Sequence, residues 1–410
     1  MNFTLLSRSK LPIWEILLIL YLFVAYLLPS FSIGSTMLLL LLLAYCVYIV
    51  FIDPEMFSVV VIPLLLIVFL AAAYALLTDA SSIAENVSSR ELKRFISKLY
   101  QYLSIYFPAI LFVRVNRIST DGQKKLFIGV GIALMVYVII TTWLFLLENP
   151  DATRHWDDFD ENAEQDVANY YFVYAVPIII SAISIFMLKY RGFVRYLSLA
   201  LVVVGIIFLV NAQYTLAILI AIIGVLIQVF RHLRSTLNKI LFLLAIVAMF
   251  IFLPQILLYA IRIIPSVQVT IRLREIYAFL TGQGADGYNL NSRLTLYGDT
   301  LKAFFRSPII GNRKLDFDGH ATFLTVLSDT GIIGGIPFYA LLIAICKRVQ
   351  QYMGSHKQQF SVIIIMFVMM GLTNPIHASL PLGFVAWFLA PLTIQLILQE
   401  GSDNVKALEN

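Results

Sequence analysis

The stretch Asn238–Ile263, NKILFLLAIVAMFIFLPQILLYAIRI, decides the class of this fold. Its only charges, Lys239 and Arg262, lie near its ends. A helix that crosses a bilayer needs about 20 mostly apolar residues, and this run exceeds that. The character then changes. The block Ile264–Gly331 carries Arg272, Arg274, Arg293, Lys302, Arg306, Arg313, Lys314 and His320. Long apolar runs resume beyond it, so this block is where polar chemistry concentrates. A basic, water-facing platform on a membrane scaffold suits an anionic, lipid-borne ligand.

Outward from that stretch the chain repeats its pattern. Of 410 residues, 60% are hydrophobic and 13% charged, against about a quarter charged in soluble domains. Twelve candidate spans lie near 12–29, 33–52, 57–77, 96–113, 125–147, 170–188, 194–211, 214–231, 238–263, 331–346, 360–376 and 382–398. The expected fold class is therefore an all-α polytopic membrane protein. Residues 1–410 form one membrane domain, with 264–331 as a large extracytoplasmic loop. Arg8 and Lys10 precede an apolar run with no small-residue cleavage site, which reads as a first span rather than a cleaved signal. Cys46 and Cys346 both fall in apolar runs, which excludes a disulfide framework or a zinc spacing. The net charge of +5 resides at span boundaries and implies no nucleic-acid partner.

Lys and Arg in short loops set orientation. With the N-terminus inside, Arg114, Arg117, Lys124, Lys125, Lys189, Arg191, Arg195, Arg231, Arg234, Lys239, Lys347, Arg348 and Lys357 fall on the inner side. Both termini are expected in the cytoplasm. One outer cluster opposes the rule: Arg90, Lys93, Arg94 and Lys98. It reads as an amphipathic surface stretch leading into the fourth span, or as a second contact for an anionic lipid head group. The outer loop Glu148–Tyr170 is rich in acids and reads as a solvated lid or a surface facing a neutral sugar.

Ser292-Arg293-Leu294-Thr295-Leu296-Tyr297 starts a helical pattern, with Ser292 as the expected N-cap. Arg293, Tyr297 and Phe304 share a face, and Ser307-Pro308 stops the helix. An Arg beside a Tyr near a helix start suits phosphate, because the planar guanidinium makes two parallel charge-assisted bonds; the bland alternative is a surface Arg. His320 opens a short helix that Gly331 is expected to end as a left-handed cap. It reads as a general base, since its ordinary pKa lies near working pH, or as a structural histidine. Asp158-Phe159-Asp160 and Asp316-Phe317-Asp318 have the Asp-x-Asp spacing of some metal sites, but a tripeptide is weak evidence, and no metal or cofactor is expected. Gly282, Gly284 and Gly287 lack the Lys-Ser/Thr and the preceding strand of a phosphate loop.

Three stretches together resemble a known family. They are Ser292-Arg293-x-x-x-Tyr297, then Phe305-Arg306-Ser307-Pro308-Ile309-Ile310-Gly311, then Gly319-His320 with Leu324-x-x-Leu327-x-x-x-Gly331-Ile332-Ile333-Gly334-Gly335. Their order and spacing resemble the O-antigen polymerase and O-antigen ligase superfamily, over about 55 residues plus the twelve-span plan. The resemblance implies a fold similar to C-type glycosyltransferases. It also implies action at the outer face of the bacterial plasma membrane on glycans linked to undecaprenyl pyrophosphate, without nucleotide sugars. A flippase and a chain-length regulator are the implied protein partners.

By the same resemblance, Arg293 and His320 are the implied catalytic residues. Arg272, Arg274, Tyr297, Arg306, Arg313 and Arg90 are the expected substrate-binding set. A further Arg is typical of ligases before the eighth span, yet here the junction reads Asn211-Ala212-Gln213-Tyr214-Thr215. That departure favours a polymerase of lipid-linked repeat units. The alternatives are a ligase that moves finished glycan to lipid A core and a lipid-glycan transporter or flippase.

Overall fold

The computed structural model describes residues 10–31, 34–77, 87–149, 166–263, 267–282, 290–312, 321–376 and 379–396. At 87–90, 267–269, 272, 275, 279 and 290–294 it describes the backbone alone. Among the described residues there is no strand. The helices are α1 (Ile13–Leu27), α2 (Ser35–Ile52), α3 (Phe57–Leu77), α4 (Val87–Ile118), α5 (Asp121–Glu148), α6 (Tyr170–Lys189) and α7 (Phe193–Asn211). They continue as α8 (Thr215–His232), α9 (Thr236–Ile263), α10 (Val267–Thr281), α11 (Leu290–Arg306), α12 (Thr322–Tyr352), α13 (Lys357–Thr373) and α14 (Leu380–Leu396).

Nine of the described helices are long and apolar enough to cross a membrane. Helices α1 and α14 are apolar but shorter, and α13 has 17 residues. The chain is membrane-embedded and helical, as its hydropathy demands. In hydrocarbon every backbone N–H and C=O must be satisfied inside its own segment, which leaves the helix as the form for such runs.

Two helix groups make the bundle. One packs α2, α3, α4 and α12 together; the other packs α6, α7, α8 and α13. Helix α14 joins them, touching α1, α4, α6 and α13. It is buried throughout Leu382–Ile394, and its middle, Val385–Leu389, widens into a π-helical turn. There Trp387 is wedged against Phe367 at 4.6 Å between ring centroids. Helix α9 stands apart, packed chiefly on α10, and Leu257 is its one buried residue. Its Leu237, Ile251 and Tyr259 are openly exposed, a face fit for lipid.

Local chemistry sets several helix starts. Thr120 and Gln123 form a reciprocal capping box ahead of α5, and Asn169 accepts from Phe172 N at 3.0 Å to start α6. Two expected boundaries differ. Helix α11 begins at Leu290, so Ser292 lies in its first turn and is not the N-cap. The fourth span was expected near 96–113, and the Arg90–Lys98 stretch that leads into it is the first part of the same continuous 32-residue helix. Its Phe95, Ile96 and Leu99 pack on the core, and that anchorage extends the helix outward.

One end of the bundle is pinned by a buried ionic network. Glu15 accepts from Tyr45 Oη at 2.6 Å and from Arg114 Nε at 3.0 Å. Arg114 reaches Asp53 at 3.3 Å, and Arg117 bridges Asp53 at 3.1 Å and Glu55 at 2.6 Å. Helices α1, α2 and α4 are thereby fixed to one another. Arg114, expected in a connecting loop, is instead a buried member of α4.

Candidate functional site

The opposite end holds the break in α12 and Tyr297, one of the residues that the sequence nominates. Helix α12 is broken there. Its backbone at Gly331 has φ 60° and ψ −154°, a conformation essentially reserved for glycine. This is not the left-handed cap expected from sequence, because ψ is extended rather than near +45°. The chain turns and resumes as helix, so Thr322–Thr330 forms a half-helix at this end.

The turn Ser307–Gly311, which follows α11, docks into that break. Ile332 N donates to Pro308 O at 2.8 Å, Ile333 N to Ile309 O at 3.2 Å, and Asn312 N to Ser328 O at 2.6 Å. The fit is backbone to backbone. A Cβ on Gly311, itself at φ 74°, would sit 2.3 Å from the Asp329 carbonyl; one on Gly331 would sit 2.4 Å from Ile309 O. Two of the three stretches that carry the family resemblance, Phe305–Gly311 and Leu324–Gly335, therefore meet as one structural unit. Segment 313–320 leaves it at Asn312 and returns at Ala321.

Other helix ends converge beside it. Asn374, at the end of α13, accepts through its carbonyl from Thr322 N at 3.3 Å and Thr322 Oγ1 at 3.1 Å. Thr322 Oγ1 in turn accepts from Ile376 N at 2.8 Å. Tyr170 donates its hydroxyl to Asn374 Oδ1. Tyr297 of α11 donates to Thr373 O at 3.5 Å, the longest of these bonds. Asp166 accepts from Ser30 N and from Tyr137 Oη, tying the approach to α6 onto α5 and the α1–α2 connection.

The expected site residues are placed unevenly. Tyr297 is brought into this cluster. Arg274 on α10 and Arg306 at the end of α11 are exposed. Arg293, Arg272 and Arg90 occupy backbone positions in α11, α10 and α4, with Arg293 one turn before Tyr297. His320 and Arg313 lie outside the described residues, as do His377 and both Asp-x-Asp pairs. Among the described residues no group of three or more His, Cys, Asp or Glu is arranged to hold a metal ion.

Sequence reasoning missed one feature. Asp329, 6% exposed, sits two residues before the Gly331 break, within electrostatic reach of Lys98 on α4. Lys98 Nζ also lies 4.6 Å from the centroid of the Tyr74 ring. Lys98 is half-buried, whereas Lys93 is exposed. The signal was legible: an acid inside a run that must be helical and apolar is expensive and marks a partner or a function. No family model matches the chain, and no curated protein matches it.

Proposed function

We propose that this chain is a membrane glycosyltransferase that polymerises lipid-linked oligosaccharide repeat units at the outer face of the bacterial plasma membrane. It would cross the membrane twelve times, with α1, α13 and α14 as short crossings and both termini in the cytoplasm. The end that holds Asn374 and the Gly331 break faces outward. Undecaprenyl pyrophosphate is the leaving group. A hydroxyl of the acceptor unit attacks the anomeric carbon of the donor glycan. The new glycosidic C–O bond forms as the bond to pyrophosphate breaks, and His320 takes the hydroxyl proton. Arg293, aided by Arg272, Arg274, Arg306 or Arg313, holds the charge that grows on the pyrophosphate.

The observation that supports this reading is the docking of Ser307–Gly311 onto the break at Gly331. Resemblance in three separated stretches gains weight when two of them meet in space. Their meeting also fixes both ends of the segment that bears Arg313 and His320. Fixed charge aimed at a leaving group accelerates reaction because it needs no reorganisation at the moment of transfer.

The test is substitution at the two named residues, read by transfer with protein level held constant. His320→Ala and Arg293→Ala should each lower turnover about a hundred- to a thousand-fold, the usual cost of losing a fixed transition-state donor. Arg293→Lys should recover little, since a point charge lacks the planar fork. Wild-type turnover in either alanine variant contradicts the assignment.

One observation favours a second reading, a lipid-glycan transporter. A half-helix break beside a buried carboxyl, that of Asp329, is a feature that transporters use for coupled ions. A transporter would move labelled lipid-linked unit between leaflets without changing its mass; a polymerase lengthens it.

A further inference from the structure

Tyrosines from two separate parts of the chain stack at the same end of the bundle. Tyr170 lies 4.9 Å from Tyr174, 5.6 Å from Tyr171 and 5.5 Å from Tyr214 between ring centroids. Tyr174 and Tyr214 are 5.8 Å apart. Interplanar angles of 56° to 85° make these edge-on and tilted contacts rather than parallel stacks. Tyr170, Tyr171 and Tyr214 each keep part of their surface open, while Tyr174 beneath them is 3% exposed. One amide side chain borders the rings, that of Asn374, 1% exposed and bonded to the Tyr170 hydroxyl; a second, Gln213, 7% exposed, directly precedes Tyr214 in the chain.

Three features set this cluster apart from an ordinary aromatic belt at a membrane surface. Belt tyrosines point their rings into the head groups; these pack on one another and turn a hydroxyl toward a buried amide. Gln213 holds a left-handed backbone, φ 60°, which costs a non-glycine residue energy and is found where geometry serves a site. The carbonyl of Asn374 also holds Thr322, two residues after His320. Phenol rings offer apolar faces with a polar edge at little entropic cost. Primary amides offer both a donor and an acceptor. A pyranose presents the matching surfaces, C–H faces ringed by hydroxyls.

We propose that Tyr170, Tyr171 and Tyr214, with Gln213, form a saccharide subsite that holds a neutral pyranose ring of the acceptor glycan, Asn374 fixing the Tyr170 hydroxyl from below. This rests on the transferase reading for its role, but the binding itself can be measured apart from transfer. The probes are methyl glycosides of glucose, galactose and N-acetylglucosamine. They are added to the protein in lipid nanodiscs free of glycoside detergent and read by saturation-transfer NMR. At least one should bind the wild type, with Tyr214→Leu weakening it about three- to tenfold, the range of an aromatic contact. Tyr214→Phe should retain most binding. Gln213→Gly removes the amide and suits the left-handed backbone, so it should weaken binding. Tyr259→Ala, on the far face of α9, should bind as wild type.

The subsite is overturned if none of the three glycosides binds the wild type, or if Tyr214→Leu and Gln213→Gly bind as well as it does. Glycoside binding that these variants weaken, in a protein that performs no transfer, supports the subsite and sinks the transferase reading. Transfer by the wild type that both variants leave unchanged does the reverse.

Discussion

Replacing Gly331 by Ala probes the joint on which the candidate site hangs. Two costs add. The backbone at φ 60° and ψ −154° is essentially closed to a residue with a Cβ, and holding one there costs about 1–3 kcal/mol. The new Cβ would also lie 2.4 Å from Ile309 O, an atom of the main chain that cannot rotate away. Relief requires the Pro308–Ile309 turn to move off. That strains the bonds from Ile332 N and Ile333 N, each worth about 1 kcal/mol net. The sum is a loss of about 3–5 kcal/mol. Unfolding free energy from SDS titration in mixed micelles reads it directly. Gly311→Ala strikes the same contact from the other side, so the double variant should lose clearly less than the sum of the two. Gly298→Ala is the control. It sits within α11 with nothing within 4 Å, so it should be neutral or gain about 0.5–1 kcal/mol. If Gly331→Ala unfolds within about 0.5 kcal/mol of wild type, the break is not the rigid joint described here.

Other expectations follow from the same geometry. Asp329→Asn should cost about 1 kcal/mol by removing an attraction for Lys98, and Lys98→Met should cost less in the Asp329→Asn background than alone; losses that simply add in the double variant would mean the two are not coupled. In a background lacking Cys46 and Cys346, an impermeant thiol reagent added outside should label Asp157→Cys and spare Arg234→Cys. The reverse pattern inverts the proposed orientation.

Much of the fold was legible because one signal dominates. Apolar runs of bilayer length favour the helix, and nine of the twelve expected spans fall on described helices long and apolar enough to cross, while α1, α13 and α14 are shorter. The ends were harder to read. Helix α4 runs out to Val87 because Phe95, Ile96 and Leu99 find core partners that no local pattern reveals. The short helix ahead of Gly331 was legible, but not that it would be buried, with Phe323 packed on Phe338 at 5.7 Å. At the site, Gly311 and Gly331 could be recognised as special but not as partners, since their contact is backbone to backbone and leaves no side-chain signature. The tyrosine cluster escaped for a related reason. Its members come from positions 170–174 and 214, and the amide they meet is at 374. Only the packing of α6, α8 and α13 brings them together.

The most direct test of the whole account is reconstitution with a single substrate. Purified protein in liposomes is given undecaprenyl-pyrophosphate-linked repeat units of the host polysaccharide and nothing else. The account predicts a ladder of lipid-linked products that rises by one repeat per rung, with undecaprenyl pyrophosphate released at each step. If no ladder forms until lipid A core is supplied, and each acceptor then receives one glycan, the chain is a ligase. If the units change leaflet but never change length, transfer is not what this protein does.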